Sequence, residues 1–324
     1  MIPKGKAAAK LKIQVLAGGI SHERDISLKS GRRVADALTE YGATVVIREP
    51  DSKLLANILK DKPDVIWPVL HGASGEDGAL RDILTLTGVP FVGATPEAAR
   101  LAWDKSIAKI LVGRAGIQTP PSITLPKETF RELDAESVLS SITKSIALPL
   151  VVKPARGGSA QGVSIVTKIE DLNRAMVDAY VYCDVVIIEK LVEGTELALS
   201  VIDLGAGPIA LPAVEVVPRT GHFSFDERYT AGETDYFIPA RLDAKTSEAA
   251  RKVAVTAHEV LGLRHLSRID MIVDSNGIVW FLEANVLPGL TETSLLPMAI
   301  TASGNSLGDV YYSLAEAAKR GSIR

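Results

Sequence analysis

The segment SRIDMIVDSNGIVWFLEANVLPGLTETS, residues 267–294, reads as two apolar strands joined by a turn, and a Pro-Gly break follows the second strand. The Asn-Gly pair within the turn is a strong local signal for a β-hairpin. Asp270 lies on the first strand, while Glu283 and Asn285 lie two apart on the second. Residues two apart on a strand point to one face, so pairing across the hairpin is expected to bring all three side chains together.

Two carboxylates and an amide on one buried face favour a divalent cation. Without nearby positive charge the two acids would repel each other and lose their hydration. All three side chains would bind through oxygen, which suits Mg²⁺ or Mn²⁺, and Mg²⁺ typically bridges protein carboxylates and nucleotide phosphates. The alternative is a pair of acids neutralised by Arg268. The hairpin therefore predicts either a metal centre or a local ion pair.

Composition limits the classes of protein that the chain can represent. The chain has 324 residues, which is more than a single hydrophobic core usually contains. This length predicts two or three subdomains of roughly 100 residues each. The chain has 47% hydrophobic residues, 23% charged residues and a net charge of -3. Nucleic acid and membrane surfaces both favour a strongly basic face, so neither is expected as the main partner. The single cysteine, Cys183, excludes an internal disulfide.

The location of the protein is predicted from what the sequence lacks. No apolar stretch reaches the ~18 residues that a membrane span needs. The first ten residues, MIPKGKAAAK, lack the apolar core of a signal peptide. A cytoplasmic protein is therefore expected.

The first third of the chain alternates short apolar runs with amphipathic segments. Residues 25–42 carry helix spacing at Ile26, Val34 and Leu38. The runs LKIQVLAGG, TVVIREP and DVIWPVL read as buried strands. Strand and helix in alternation predict a parallel sheet with helices on both faces. Such sheets bind ligands at the carboxyl ends of their strands, where this chain places GGISHERD and HGASGEDG.

Each of these two loops contains one candidate binding residue. Glu23 in the first loop could instead be a helix-start carboxylate, which the helix dipole favours. His71 opens the second loop, and a lone histidine at a strand end is more often structural than catalytic. The glycine pair lacks the G-x-G-x-x-G spacing of a dinucleotide site, so a tight strand-to-helix turn is the simpler explanation of that loop taken alone.

Residues 148–166, LPLVVKPARGGSAQGVSIV, predict a hairpin with a glycine-rich tip that contains Ser159. Its backbone N–H groups are free of side-chain bulk and could fold over phosphate oxygens. Lys153 and Arg156 add positive charge nearby. A Walker A loop is excluded, because its motif is absent and no helix follows immediately. Taken alone, the segment could equally be a mobile loop.

The next segment, DVVIIEKLVEGTELALSVID, holds two acids that could contact a nucleoside. A base could lie against the backbone between two strands, with a carboxylate reaching the ribose hydroxyls. Glu189 and Glu196 are the carboxylates concerned. Each could also belong to an ordinary solvated strand edge, which is the simpler interpretation of either residue alone.

Seven motifs occur along the chain in the same order as in a known family of proteins. They are GGISHERDIS, LHGASGEDG, WDKSIAK, VVKPARGGSAQGVS, EKLVEGTE, RYTAGETDYF and RIDMIVDSNGIVWFLEANVLPGLTETSLLP. The set resembles the ATP-grasp ligases, and within them the D-alanine–D-alanine ligases. The resemblance implies an α/β protein with the ATP-grasp fold in three parts. These are an N-terminal parallel α/β (Rossmann-like) subdomain over residues 1–94, a central α+β subdomain with the glycine-rich loop over 95–189, and a C-terminal α+β subdomain with an antiparallel sheet over 190–324.

The resemblance also assigns roles to residues. Those that would contact ATP are Lys105, Lys153, Glu189, Lys190, Val192, Glu196 and Arg228. Of these, Glu189 would contact the adenine amino group and Glu196 the ribose. Two Mg²⁺ or Mn²⁺ ions would be held by Asp270, Glu283 and Asn285. The two D-alanines would contact Glu23, His71, Ser294 and Leu295. The catalytic set would be Glu23, His71, Ser159, Tyr229, Arg268 and Gly289, in which Ser159 and Tyr229 are hydrogen-bonded with Glu23, and Arg268 and the Gly289 amide stabilise an oxyanion.

The implied activity is ATP-dependent ligation of two D-alanines through a D-alanyl phosphate, for peptidoglycan precursors, by a homodimer. The polar, glycine-flanked residues 220–237 are expected to form a lid that excludes water. Four departures leave a different amino acid or hydroxy acid acceptor open: Val286 where threonine is common, Arg228 for lysine, Phe223 for tyrosine and Ala160 for serine. A non-catalytic nucleotide-binding module is the third possibility, although it has no need of the metal set.

Overall fold

The computed structural model describes residues 10–218 and 234–321. Phe223, Arg228 and Tyr229 lie outside the described residues, as does most of the predicted lid. The last four residues of that segment form a strand instead. Among the described residues, no helix combines the length and the apolarity that a membrane span requires.

Thirteen strands and twelve helices are assigned in the described chain. The strands are β1 (Lys12–Ala17), β2 (Thr44–Arg48), β3 (Val65–Val69), β4 (Ser122–Pro126), β5 (Leu150–Pro154), β6 (Ser164–Val166), β7 (Val185–Lys190), β8 (Thr195–Asp203), β9 (Pro208–Ala210), β10 (Val214–Pro218), β11 (Thr234–Phe237), β12 (Leu266–Val273) and β13 (Val279–Asn285). The helices are α1 (Arg24–Tyr41), α2 (Leu54–Asp61), α3 (Ala73–Glu76), α4 (Ala79–Thr85), α5 (Pro96–Trp103), α6 (Lys105–Arg114), α7 (Lys127–Glu132), α8 (Ala135–Ser145), α9 (Ile169–Ala179), α10 (Ala244–Val260), α11 (Leu295–Ala302) and α12 (Leu307–Gly321).

The N-terminal sheet is parallel, with strand order β2-β1-β3. Alternate residues of β1 face opposite sides of the sheet. Ile13 and Val15 join a core with helices α1 and α12, while Leu16 joins a second core with α2 and α4. The predicted parallel sheet with helices on both faces is confirmed, and the two predicted loops leave the carboxyl ends of β1 and β3.

The prediction that TVVIREP is a buried strand is wrong. In β2, Val46 is 39% exposed and Ile47 is 42% exposed, whereas every residue of β3 is buried. Both strands lie at an edge of the order β2-β1-β3, but the outer side of β3 is covered by residues 90–92, which exchange backbone hydrogen bonds with Ile66. An apolar run indicates a strand, but it does not show whether other segments of the chain cover that strand.

The central sheet is antiparallel, with strand order β4-β7-β5-β6. Val152 and Ile188 face a core with α8 and α9. Lys153 and Glu189 are the next residues along the same two strands, so they face the opposite side. This second face forms one wall of the cleft described below.

The largest sheet has six strands, with β9 beside β8 and the path β11-β10-β8-β12-β13. Ile269, Met271 and Phe281 pack on α5, α6 and α10 in one core. The predicted hairpin is confirmed, since β12 and β13 pair antiparallel. Its turn spans residues 274–278 and is longer than the three residues expected, because Asp274 accepts hydrogen bonds from the N–H groups of Asn276 and Ile278.

The apolar cores do not separate the chain at residues 94 and 189, which are the predicted subdomain boundaries. One core joins the N-terminal sheet to α11, α12 and part of the six-stranded sheet. Helices α5 and α6 pack with the six-stranded sheet. The three-part division of the chain stays a prediction.

Candidate active site

The hairpin brings four polar side chains to one face. Its register places Asp270 opposite Glu283 and Arg268 opposite Asn285, and a β-bulge follows Asp270. Directly opposite residues share a face, and so do residues two apart. The period-two prediction of a polar face on this hairpin therefore agrees with the geometry.

Positive side chains already accompany both carboxylates on this face. Arg268 Nε and Nη2 each lie 2.7 Å from an oxygen of Asp270. Lys105 Nζ lies 3.3 Å from Glu283 Oε2. The Oδ1 atom of Asn285 accepts a hydrogen bond of 3.0 Å from the Leu287 N–H. The ion pairs of the alternative interpretation are therefore present, and they do not exclude a metal bound by the same oxygen atoms.

The oxygen donors suit Mg²⁺ in their chemistry but do not form a complete shell. No group of three or more His, Cys, Asp or Glu side chains in metal-binding proximity occurs in the described part of the chain. Two carboxylates and an amide match the usual Mg²⁺ site, which takes few protein ligands and fills its shell with phosphates and water. The set fits a metal that arrives with a nucleotide.

A cleft of about 840 Å³ lies between the four-stranded and the six-stranded sheets. Every predicted ATP residue in the described chain lines it: Lys105, Lys153, Glu189, Lys190, Val192 and Glu196. Asp270 and Glu283 line its inner end. The Lys190 ammonium itself turns to the carbonyls of Ala147 and Leu148, at 3.1 and 3.0 Å.

Glu189 is the most enclosed carboxylate of this cleft, with 2% exposure. Its Oε1 atom lies 2.6 Å from Lys153 Nζ, and its Oε2 atom lies 2.5 Å from Lys109 Nζ. Burial alone would raise the pKa of Glu189, but the two ammonium groups outweigh it and the net pKa lies below the ordinary value. Burial lowers the pKa of Lys109. Sequence reasoning missed Lys109, although it follows Lys105 by one helical turn.

The glycine-rich loop is held at its base and at its tip. At the base, Lys105 Nζ donates to the Gly157 carbonyl at 2.6 Å, and Arg156 Nε donates to Asp104 at 2.9 Å. At the tip, the Ser159 hydroxyl donates to Glu23, which was the predicted contact. Arg156 was expected to add positive charge near the phosphates, but its side chain forms an ion pair with Asp104. The two residues are 52 positions apart in the sequence, so local patterns do not predict this pair.

A second cavity of about 960 Å³ adjoins the cleft and shares Lys105, Gly157, Gly158 and Glu283 with it. All predicted substrate and catalytic residues of the described chain line it: Glu23, His71, Ser159, Arg268, Gly289, Ser294 and Leu295. Tyr229 cannot be placed, since it lies outside the described residues. Glu23 precedes the first turn of α1 but makes no side-chain cap.

Two buried ionisable groups stand at the inner wall of this cavity. His71 Nε2 lies 3.2 Å from the Ser30 hydroxyl, and burial lowers the pKa of the imidazole. Glu76 accepts a hydrogen bond of 2.8 Å from the Gly72 N–H. Burial, and then the nearby Glu23 charge, raise the pKa of Glu76 to about 8. Sequence reasoning selected the loop HGASGEDG but not this glutamate within it.

The opposite wall explains two residues of the Pro-Gly segment. A Cβ at Gly289 would lie 2.6 Å from Ser294 Oγ, so a larger residue at this position would displace the serine hydroxyl. Ser294 Oγ also accepts a hydrogen bond from the Thr291 N–H at 3.0 Å.

Val286, where threonine was noted as common, is 2% exposed and packs in the apolar core behind the sheet. Its side chain therefore lies away from the cavity.

Comparison with known proteins gives one consistent result. Residues 111–316 match the family model described as the D-ala D-ala ligase C-terminus. The chain is 37% identical over 308 residues to a D-alanine–D-alanine ligase of Pelotomaculum thermopropionicum, covering 95% of this chain and 96% of that protein. It is 36% identical over 313 residues to one of Bordetella petrii, covering 96% and 93%.

Solved structures agree with these sequence matches. The chain resembles the VanG D-Ala:D-Ser ligase of Enterococcus faecalis with a TM-score of 0.81 and 28% identity, covering 96% of this chain and 100% of that one. A D-alanine–D-alanine ligase of Bacillus anthracis in complex with ATP matches with a TM-score of 0.79 and 26% identity, covering 97% and 98%. The ATP-grasp fold predicted from the motifs is thereby confirmed.

Proposed function

The chain belongs to the D-alanine–D-alanine ligase family, and from this premise we propose how its two adjoining cavities carry out the reaction. The enzyme joins two D-alanines into D-alanyl-D-alanine at the expense of ATP, for peptidoglycan synthesis. The observation that carries the mechanism is the junction of the cavities. Lys105, Gly157, Gly158 and Glu283 line both, so a phosphate at the end of the cleft would meet a carboxylate in the substrate cavity.

The first step activates the carboxylate of one D-alanine. A carboxylate is a poor electrophile, because its leaving group would be oxide. Attack of a carboxylate oxygen on the γ-phosphorus of ATP forms a D-alanyl phosphate and releases ADP. This transfer needs alignment and neutralisation of charge. Lys105 and Lys153 would bind the phosphates, and the N–H groups of the glycine-rich loop would cover them.

Asp270, Glu283 and Asn285 would hold two Mg²⁺ or Mn²⁺ ions where the cleft meets the substrate cavity. When bound, the ions would supply further neutralisation of the phosphate charge. The protein residues would have to exchange partners on loading, because Arg268 now binds Asp270 and Lys105 now approaches Glu283. Such an exchange would direct Arg268 and Lys105 towards the reacting groups.

The second step forms the peptide bond. The neutral amine of the second D-alanine attacks the carbonyl carbon, a tetrahedral oxyanion forms, and phosphate leaves with its bonding electrons and takes up the proton that the nitrogen loses. Arg268 and the Gly289 N–H would stabilise the oxyanion, and one such donor typically contributes a few kcal/mol. Glu23 would bind the ammonium of the first D-alanine, with His71 beside its carboxylate. Ser294 and Leu295 would receive the carboxylate of the second.

The acyl phosphate must be protected from water. The hydrogen bond from Ser159 to Glu23 joins the glycine-rich loop to the start of α1 over the substrate cavity. A closed loop would therefore exclude water from one side. The lid role of residues 220–233 remains a proposal about residues outside those described.

The test is a coupled assay of ADP and phosphate release, with the product identified by mass spectrometry. Release that depends on D-alanine and yields the dipeptide is expected, and its absence would refute the function. D-serine and D-lactate as second substrates test the alternative acceptors, which the likeness to a D-Ala:D-Ser ligase keeps open. A Glu283→Gln variant is expected to lose ligation, whereas full activity would contradict the metal assignment. Light scattering tests the proposed homodimer.

A further inference from the structure

Helix α6 carries a second buried lysine that the reaction described above does not use. Lys105 and Lys109 are one turn apart, so their side chains leave the same face of the helix about 6 Å apart along its axis. Lys105 reaches Glu283 at the inner end of the cleft, and Lys109 reaches Glu189 in the wall formed by the central sheet. The helix thus supplies one cation to each of two acids.

The two lysines that bind Glu189 differ in their position. Lys153 and Glu189 line the cleft, whereas Lys109 does not. Lys109 Nζ has a second fixed contact, since it also donates to the Pro120 carbonyl at 2.9 Å. Lys109 is 5% exposed and Lys153 is 7% exposed. Lys109 therefore binds Glu189 from outside the lining of the cleft, and Lys153 binds it from within that lining.

A nucleotide would change the balance between these lysines. Triphosphate is strongly anionic and would compete with Glu189 for Lys153. A carboxylate in such an enclosed place stays ionised only with a partner, since burial otherwise raises its pKa. Lys109 lies 2.5 Å from the other oxygen, Oε2, and can hold that oxygen while Lys153 is drawn away from Oε1.

We propose that Lys109 is a positioning residue for nucleotide selection, which keeps Glu189 oriented and charged so that Oε1 can accept the exocyclic amino group of adenine. The inference rests on the proposed binding of ATP in this cleft. Guanine presents a carbonyl oxygen at the corresponding position, and a fixed carboxylate repels it. The Lys109–Glu189 pair thus favours ATP over GTP.

The experiment uses the full-length enzyme and the Lys109→Met variant, which removes the charge and retains most of the length. Steady-state rates are measured with ATP and with GTP at saturating D-alanine, from pH 6 to pH 9. The KM for ATP is expected to rise roughly 10- to 100-fold, the range for loss of a charge-assisted hydrogen bond, with a smaller change in kcat. The preference for ATP over GTP is expected to fall, and the KM is expected to increase further as the pH is lowered.

Three companion variants distinguish positioning from a merely structural role. Lys109→Arg keeps the charge and is expected to restore most of the ATP preference. Arg114→Met removes an exposed cation at the end of the same helix and is expected to leave both kinetic constants unchanged. In a Lys109→Met, Glu189→Gln double variant, the KM for ATP is expected to equal that of Glu189→Gln alone, because Lys109 acts through Glu189.

The outcomes separate failure of this inference from failure of the proposed function. If the unmodified enzyme releases no ADP with D-alanine, the function itself is refuted. If it does, but Lys109→Met retains the normal KM, nucleotide preference and pH profile, Lys109 is not a positioning residue. Should Lys109→Met fail to fold, the double variant removes both charges of the Lys109–Glu189 pair, and a KM more than about fivefold above that of Glu189→Gln overturns the inference.

Discussion

Glu76 gives a sharp test of the electrostatics of the substrate cavity. Its carboxyl group is buried, it lies near the Glu23 charge, and its pKa is raised from 4.5 to about 8. A group whose pKa is higher in the folded protein than in the unfolded chain stabilises the fold fully at pH values below the unfolded pKa. That stability is lost as the pH rises towards the folded pKa. The free energy of unfolding should therefore fall between pH 4.5 and pH 8 because of this residue.

The Glu76→Gln variant removes the ionisation and can keep the hydrogen bond from the Gly72 N–H through its amide oxygen. The slope for one proton is about 1.4 kcal/mol per pH unit, so the whole window from 4.5 to about 8 amounts to at most roughly 5 kcal/mol. Relative to the unmodified protein, the variant should gain stability steadily from pH 5 to pH 8. Other titrating groups largely cancel in this difference.

Urea unfolding at each pH unit from 5 to 9 measures the difference curve. An exposed glutamate on α9, Glu170, provides the matched control as Glu170→Gln, which makes the same chemical change outside the cavity. A Glu76→Gln difference that stays constant to within about 0.5 kcal/mol from pH 5 to pH 8 would refute the reasoning, because additivity between independent sites holds to about that precision. In that case the carboxylate would be ionised and solvated in the folded protein.

Four further predictions follow from the same geometry. Gly289→Ala should lower kcat by about 100-fold, because its Cβ would lie 2.6 Å from Ser294 Oγ beside the oxyanion position; unchanged dipeptide formation would contradict this. Ser159→Ala should raise the KM for D-alanine roughly tenfold and increase ADP release without dipeptide, as measured by comparing the two products. Val286→Thr should lower the free energy of unfolding by about 1 to 3 kcal/mol by burying a hydroxyl, yet leave the D-alanine to D-serine rate ratio unaltered; a large shift in that ratio would show contact with substrate. Burial lowers the pKa of His258 to about 4 and of His265 to about 3, so both should cost stability as the pH falls from 6.5 towards those values; acid unfolding of His265→Gln should show a shallower loss.

The sequence predicted the hairpin face because the relevant period is local. Residues two apart on a strand share a face whatever the rest of the chain does, so the spacing of Glu283 and Asn285 is enough to give them a common direction. The bulge after Asp270 lies beyond that pair and leaves their common direction intact. The motifs placed the remaining site residues through family likeness rather than through physical derivation, and Tyr229 and Arg228 stay untested.

Contacts between distant segments were not predictable from the same patterns. Lys109 and Glu189 are 80 residues apart, and nothing in either local sequence indicates that both are buried. The burial of Glu76 similarly depends on how α3 and its loop pack beneath the substrate cavity. The exposure of β2 and the burial of β3 depend on which other segments cover each edge strand, and an apolar run carries no information about that.

Helix α6 connects the parts of the site that sequence reasoning treated separately. Its N-cap, Asp104, accepts hydrogen bonds from the first-turn N–H groups and also from Arg156 at the base of the glycine-rich loop. Its first residue, Lys105, contacts both that loop and Glu283 on β13. The apolar side of the same helix packs with β13 in one core. One rigid helix therefore contacts the glycine-rich loop, Glu283 of the hairpin and Glu189. If a nucleotide displaced the loop, the helix would transmit that movement both to the metal-binding face and to the wall that binds the base.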